Sequence, residues 1–116
     1  MNVRVQLNKF LGGKDVVVIV KCADVPGVLR GKYVVGRHQT NEDIVAIVFD
    51  AEMSFHPAIA RKYRLVPLGG GYFAVDHKSA SIHISGKSER FGAEPNRGAT
   101  GQALEAALPT YRAVID

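Results

Sequence analysis

Polar and apolar residues alternate strictly at the start of the chain. Val3, Val5 and Leu7 are separated by Asn2, Arg4 and Gln6, the period of a half-buried strand. Gly12-Gly13 breaks the pattern. After Lys14 and Asp15 comes Val16-Val17-Val18-Ile19-Val20, a continuous β-branched run that predicts a central strand covered on both faces. Pro26-Gly27 marks the turn that follows. Val28 to Gly36 predicts a third strand, and Gln39-Thr40-Asn41-Glu42 a polar connection. Ile44 to Phe49 is densely apolar, and periodicity does not separate a strand from a buried helical turn there. Its β-branched and aromatic residues favour a strand.

After Asp50 the character changes. His56-Pro57-Ala58-Ile59-Ala60-Arg61-Lys62-Tyr63 predicts a short helix, with Pro57 in the first turn where a missing N–H costs nothing. Ile59, Ala60 and Tyr63 share its inner face, and Arg61 and Lys62 face water. Leu65 opens a strand that runs through Leu68-Gly69-Gly70-Gly71-Tyr72-Phe73-Ala74-Val75. Asp76 to Ser79 form a hairpin turn, and Ala80 to Ser85 the returning strand. Glycine weakens a strand interior. Three in a row therefore point to a bulge, a sharp bend, or close approach of another group to the backbone. Thr100 is placed to cap a helix carrying Ala103, Leu104, Ala107 and Leu108, which Pro109 stops. Tyr111 to Ile115 is a last short strand. The expectation is an α+β fold: a single small mixed sheet of about six strands flanked by two short helices, one domain over residues 1–116.

Composition narrows the functional classes. The 116 residues suffice for one domain with its own core, and 47% hydrophobic residues argue against disorder. The net charge of +4 allows an anionic partner, but the 15 basic residues are interspersed with 11 acidic ones. No basic block of the kind that tracks nucleic acid stands out, so nucleic acid is disfavoured. A phosphorylated protein or a small phosphorylated substrate fits the charge. The single cysteine, Cys22, excludes an internal disulfide and a Cys-rich zinc site, and reads as a buried small hydrophobe. No early apolar run resembles a signal peptide, and none reaches membrane-spanning length. A cytoplasmic monomer or weak dimer, with no membrane partner, is expected.

The candidate chemistry lies in the histidines and in one loop. His38 is in or just after a strand, His77 is in a turn, and His83 sits opposite Ile82 and Ile84 on its strand. His56 precedes Pro57 at a helix start, where the helix N-terminus should lower its pKa and keep it neutral, as a general base requires. Gly86-Lys87-Ser88-Glu89-Arg90-Phe91-Gly92 carries two cations, a hydroxyl and two glycine hinges. Such a loop either aims several N–H groups at an anion or is a solvated polar turn. There is no His-Glu-x-x-His, no calcium-loop pattern, no Gly-x-x-x-x-Gly-Lys-Ser/Thr and no Gly-x-Ser-x-Gly. No metal or cofactor is expected.

In order, Lys14 before a strand, Phe55-His56-Pro57-Ala58-Ile59, Leu68-Gly69-Gly70-Gly71, Ile82-His83-Ile84, Gly86-Lys87-Ser88-Glu89-Arg90-Phe91-Gly92 and Leu108-Pro109-Thr110-Tyr111 resemble the phosphohistidine phosphatase family, also called Janus/Ocnus. The resemblance covers the half of the chain from Phe55 onward, and reaches the first half only through Lys14 and strand character. It implies a small sheet flanked by helices and metal-independent removal of phosphate from phosphohistidine or a related phosphoramidate. It implies that His56 activates water, that Ser88 and the backbone from Glu89 and Arg90 through Phe91 to Gly92 hold the phosphoryl oxygens, and that Lys14 adds charge. Gly69, Gly70, Gly71 and Tyr72 would support the site. The family has an arginine after the glycines, where this chain has Tyr72. Arg90 is the candidate to replace its charge. Counted from Arg30-Gly31, His38 would take the histidine's position instead. A phosphate-recognising module of the same fold, without turnover, is the alternative reading.

Overall fold

The computed structural model describes residues 1–116. Seven strands and two helices follow in the order β1 (Asn2–Leu11), β2 (Lys14–Lys21), β3 (Val28–His38), β4 (Ile44–Asp50), α1 (His56–Lys62), β5 (Leu65–Asp76), β6 (Ser81–Ser85), α2 (Arg97–Ala107) and β7 (Arg112–Ile115). The fold is α+β, with all strands in one mixed sheet ordered β1-β2-β4-β3-β5-β6-β7. Each of the seven strands falls on a segment read as a strand from the sequence. β2 and β4 run parallel, as do β6 and β7, while the other neighbours are antiparallel. No helix is long and apolar enough to cross a membrane.

The sheet curls around α2, which touches β1, β2 and β7. On this inner face Val16, Val18, Val20, Tyr33, Phe49, Phe73, Ile82, Ile84 and Leu104 form the main core. Tyr33 stacks on Phe49 with centroids 4.9 Å apart, and Phe49 meets Phe73 edge-on. On the outer face α1 packs Ile59 and Ala60 against Val34, Ala46, Val48 and Leu65. Within the Val16–Val20 run, Val16, Val18 and Val20 face the inner core beneath α2, while Ile19 packs, only partly buried, against the outer core, and β2 lies second from one edge rather than at the centre of the sheet.

The three glycines lie inside β5, and close approach explains all of them. A Cβ on Gly70 would come within 2.2 Å of the Tyr33 carbonyl oxygen, one on Gly69 within 2.3 Å of the Glu94 nitrogen, and one on Gly71 within 2.6 Å of the Ser85 oxygen. A bulge is present as well. Val35 pairs with Gly69 but Gly36 with Pro67, leaving Leu68 as the extra residue. Thr100 is not the helix cap. α2 starts earlier, at Arg97, and Asn96 caps it by accepting from the Ala99 amide at 3.0 Å. The Thr100 hydroxyl lies in the first turn and donates to Glu94 instead.

Candidate functional site

His56 opens α1 after an extended Phe55. Its side chain is only 5% exposed, and Nε2 lies 2.8 Å from the Gly71 carbonyl oxygen. A carbonyl only accepts, so Nε2 carries the proton and the neutral ring keeps its lone pair on Nδ1. Nδ1 has no protein partner and is not sealed from solvent. Burial holds the His56 pKa below the usual histidine range. The Gly71 hydrogen bond works in the opposite sense, and the nearby Lys32 charge adds to the lowering. The direction is the one expected from the sequence, but desolvation is its largest cause.

The loop from Gly86 to Gly92 folds back against β5. Gly70 donates to the Gly92 carbonyl at 2.9 Å, and Ser88 donates its amide to the Gly70 carbonyl at 3.0 Å. Within the loop the Gly92 amide donates to the Ser88 carbonyl at 2.8 Å, and the Phe91 amide to Ser88 Oγ at 3.0 Å. Gly86 and Gly92 take positive φ values of 66° and 73°, which a side chain would strain. The amides of Phe91 and Gly92 are thereby used in shaping the loop. Those of Glu89 and Arg90 donate to nothing in the protein. They are the donors left for an anion.

His56, Ser88, Glu89 and Arg90 meet in one pocket of about 260 Å³, walled by Tyr72, Lys32 and Phe55. The Tyr72 ring stands edge-on to His56 at 5.5 Å. Lys32 reaches in from β3, with Nζ 2.5 Å from the Ser54 carbonyl oxygen and over the rings of Phe55 and Tyr72 at 5.4 and 5.9 Å. Lys32 and Arg90 set two positive charges against the one carboxylate of Glu89. A phosphoryl group would find here a neutral base, two free amides and two cations.

Lys14 is not part of this pocket. It begins β2 and donates to the Glu42 carbonyl at 3.2 Å. Lys32 stands where the sequence analysis expected that charge. Its outward position on β3 was legible, but its place opposite Tyr72 is a matter of register. His38 stands apart too, its Nδ1 accepting from the Thr40 amide at 3.2 Å. His77 pairs with the Tyr111 hydroxyl at 2.6 Å.

A buried network anchors the far end of the loop, and no sequence pattern signalled it. Glu94, with its side chain 1% exposed, is bridged to Arg97 at 2.9 Å. It also accepts from the Tyr33 hydroxyl at 3.1 Å and from Thr100 Oγ1 at 2.8 Å. Each carboxylate oxygen is satisfied, as a buried charge requires. The network ties the loop to α2 on the inner face while the pocket opens on the outer face.

No protein-family model matches this chain, and no curated protein matches it.

Proposed function

We propose that this protein is a divergent phosphohistidine-phosphatase-like hydrolase that removes phosphate from phosphohistidine or a related phosphoramidate without a metal. The observation that carries the reading is the pocket that His56, its Nδ1 without a protein partner, lines together with Glu89 and Arg90, whose amides donate to nothing in the protein. Water held at Nδ1 attacks phosphorus. A P–O bond forms and the P–N bond breaks, its electron pair remaining on the leaving nitrogen. His56 takes the water proton, and the leaving nitrogen is protonated in turn. The two amides, Arg90 and Lys32 bind the phosphoryl oxygens, whose charge shifts during transfer. A phosphoramidate is already a reactive donor, so positioning and charge neutralisation suffice. The Ser88 hydroxyl, held beneath the loop, shapes it through the Phe91 amide.

The second reading is a phosphate- or phosphoprotein-binding module of the same architecture, weak or inactive in turnover. Tyr72 favours it, because an aromatic ring there offers no bidentate donor to phosphate. One experiment separates the two: release of inorganic phosphate from a phosphohistidine peptide in EDTA, by wild type and His56→Ala. We expect release by wild type and a loss of at least about 100-fold in the variant, the scale of a general base. Equal release by both proteins removes His56 from the mechanism. No release by either folded protein, together with a phosphate-induced rise in melting temperature, selects the binding module.

A further inference from the structure

β1 forms one edge of the sheet and pairs with β2 alone, so one side of its backbone is open. The Cys22 amide donates to the Met1 carbonyl at 2.9 Å, which makes Met1 and Cys22 a hydrogen-bonded pair in the β1–β2 register. Such pairs alternate along an antiparallel ladder. Val3, Val5 and Leu7 therefore direct their N–H and C=O groups to β2, while Asn2, Arg4 and Gln6 turn theirs to the open side. An edge strand is ordinarily blunted by proline, by a bulge, by shortness or by an inward-pointing charge. The opposite edge, β7, is four residues long. From Asn2 to Leu7, β1 has no such protection. Its inner row, Val3, Val5 and Leu7, packs on the main core yet stays partly exposed. The ladder becomes irregular only after Leu7, where Lys9 takes a positive φ of 48° and its amide turns to the Asp15 carboxylate.

The occupant that fits this edge is the same strand of a second copy, antiparallel about a two-fold axis. Open N–H and C=O groups meet only where even positions face even positions. Centred on Val5, the pairing sets Arg4 against Gln6 of the second copy and Asn2 against its Asn8. Gln6 Nε2 is already engaged by Asn8 and Asp15, which leaves Oε1 to accept from the Arg4 guanidinium. On the inner face Val5 meets Val5, and Val3 meets Leu7. These are non-hydrogen-bonded pairs, whose side chains lie closest, so the two partly exposed rows cover each other. Centred on Arg4, the pairing would put Arg4 directly against Arg4, which like charge disfavours. Centred on Gln6, it would put Val3 against Lys9, where the regular ladder has ended. We propose that the protein forms a two-fold dimer in which the β1 strands pair antiparallel about Val5 and join the two sheets into one. The His56 pocket, beyond β2 and β4 from this edge, stays open in such a dimer.

Sedimentation equilibrium over a dilution series tests this without any assay of activity. Wild type should pass from one chain to two as concentration rises. Arg4→Pro removes an amide that faces the open side and none that faces β2, so it should keep the circular dichroism of the fold and remain a single chain. Gln6→Lys sets a cation against Arg4 twice by symmetry, and should raise the dimer Kd about fivefold. Cysteine reads the register. Under mild oxidation Val5→Cys should give a disulfide-linked dimer, while Val3→Cys, which faces Leu7, should not; wild type, with Cys22 buried, is the control. A wild type that stays a single chain at every concentration overturns the proposal. So does a dimer that survives Arg4→Pro, or linkage through Val3→Cys rather than Val5→Cys. Should Arg4→Pro fail to fold, an unchanged Kd in Gln6→Lys overturns it equally.

Discussion

At the scale of single residues, the chemistry proposed here depends on which nitrogen of His56 is free. The Gly71 carbonyl holds the proton on Nε2, so Nδ1 is a base without any further partner. Burial and Lys32 keep the ring neutral below its ordinary pKa of 6.5. The active form is therefore the one present at neutral pH. The rate should be flat through neutrality and fall only on the acid side, with its midpoint below 6.5. Lys32→Met removes a charge that opposes protonation, so its acid limb should move upward toward 6.5 whatever its effect on the maximum rate. A pH–kcat/KM profile of both proteins checks this, and an unmoved limb would show that Lys32 does not act on His56. The same residue links to stability. The unfolded chain takes up the proton first, so the folded state loses stability as pH drops from 6.5 toward the folded value.

At the scale of elements, a seven-residue helix is too short to hold itself together. α1 is held by Ile59 and Ala60 in the outer core and by a polar pin at its C-terminal end. Asp50, the last residue of β4, is fully buried. It accepts from the Tyr63 hydroxyl at 2.9 Å and from Lys62 Nζ at 3.2 Å, and its Oδ1 takes the Glu52 amide. Burial alone would raise the Asp50 pKa, but these donors outweigh it and the result lies below 3.8. The pin is therefore intact above pH 3.8 and is lost as pH falls through the lowered folded value. Tyr63→Phe should cost about 1–3 kcal/mol at pH 7, because a buried carboxylate loses a donor. The gap between the two proteins in urea unfolding should narrow as pH is taken toward 2. A gap that stays constant with pH would assign the Tyr63 effect to packing rather than to the carboxylate.

At the scale of the molecule, one sheet serves two cores. α2 fills the inner face and α1 part of the outer face, and β2, β3 and β4 contribute alternate residues to both. Neither helix can leave without exposing strands that the other still needs. Leu104→Ala on the inner face and Ile59→Ala on the outer face should each destabilise by about 2–5 kcal/mol, lowering the melting midpoint by about 10 °C or more. Both variants should still melt in one transition, followed alike by far-UV circular dichroism and by tyrosine absorbance. Separate transitions would divide the molecule into two folding units. The arrangement also orients the site: the Glu94 network ties the end of the 86–94 segment to Tyr33 and α2 on the inner face, while the loop lines the His56 pocket.

Local pattern alone determined most elements and several members of the pocket. Period-two alternation marks β1, the β-branched run marks β2, Pro57 marks the start of α1, and Asp76 the hairpin. His56 and the loop residues Ser88, Glu89 and Arg90 stood out by local pattern, Tyr72 only through the family resemblance, and they line one pocket. These features are legible because they follow from a few neighbouring residues and their backbone preferences. What the tertiary structure decided is everything that depends on register between distant segments. It put β4 rather than β3 beside β2, brought Lys32 to His56 while leaving Lys14 elsewhere, and gave the capping role to Asn96 because α2 begins one turn before Thr100 would have it. It also gave Gly69, Gly70 and Gly71 their reason, which is the backbone and loop pressed against them. Local propensity carries no information about which strand lies beside which, because pairing is set by the shared burial of side chains far apart in the chain.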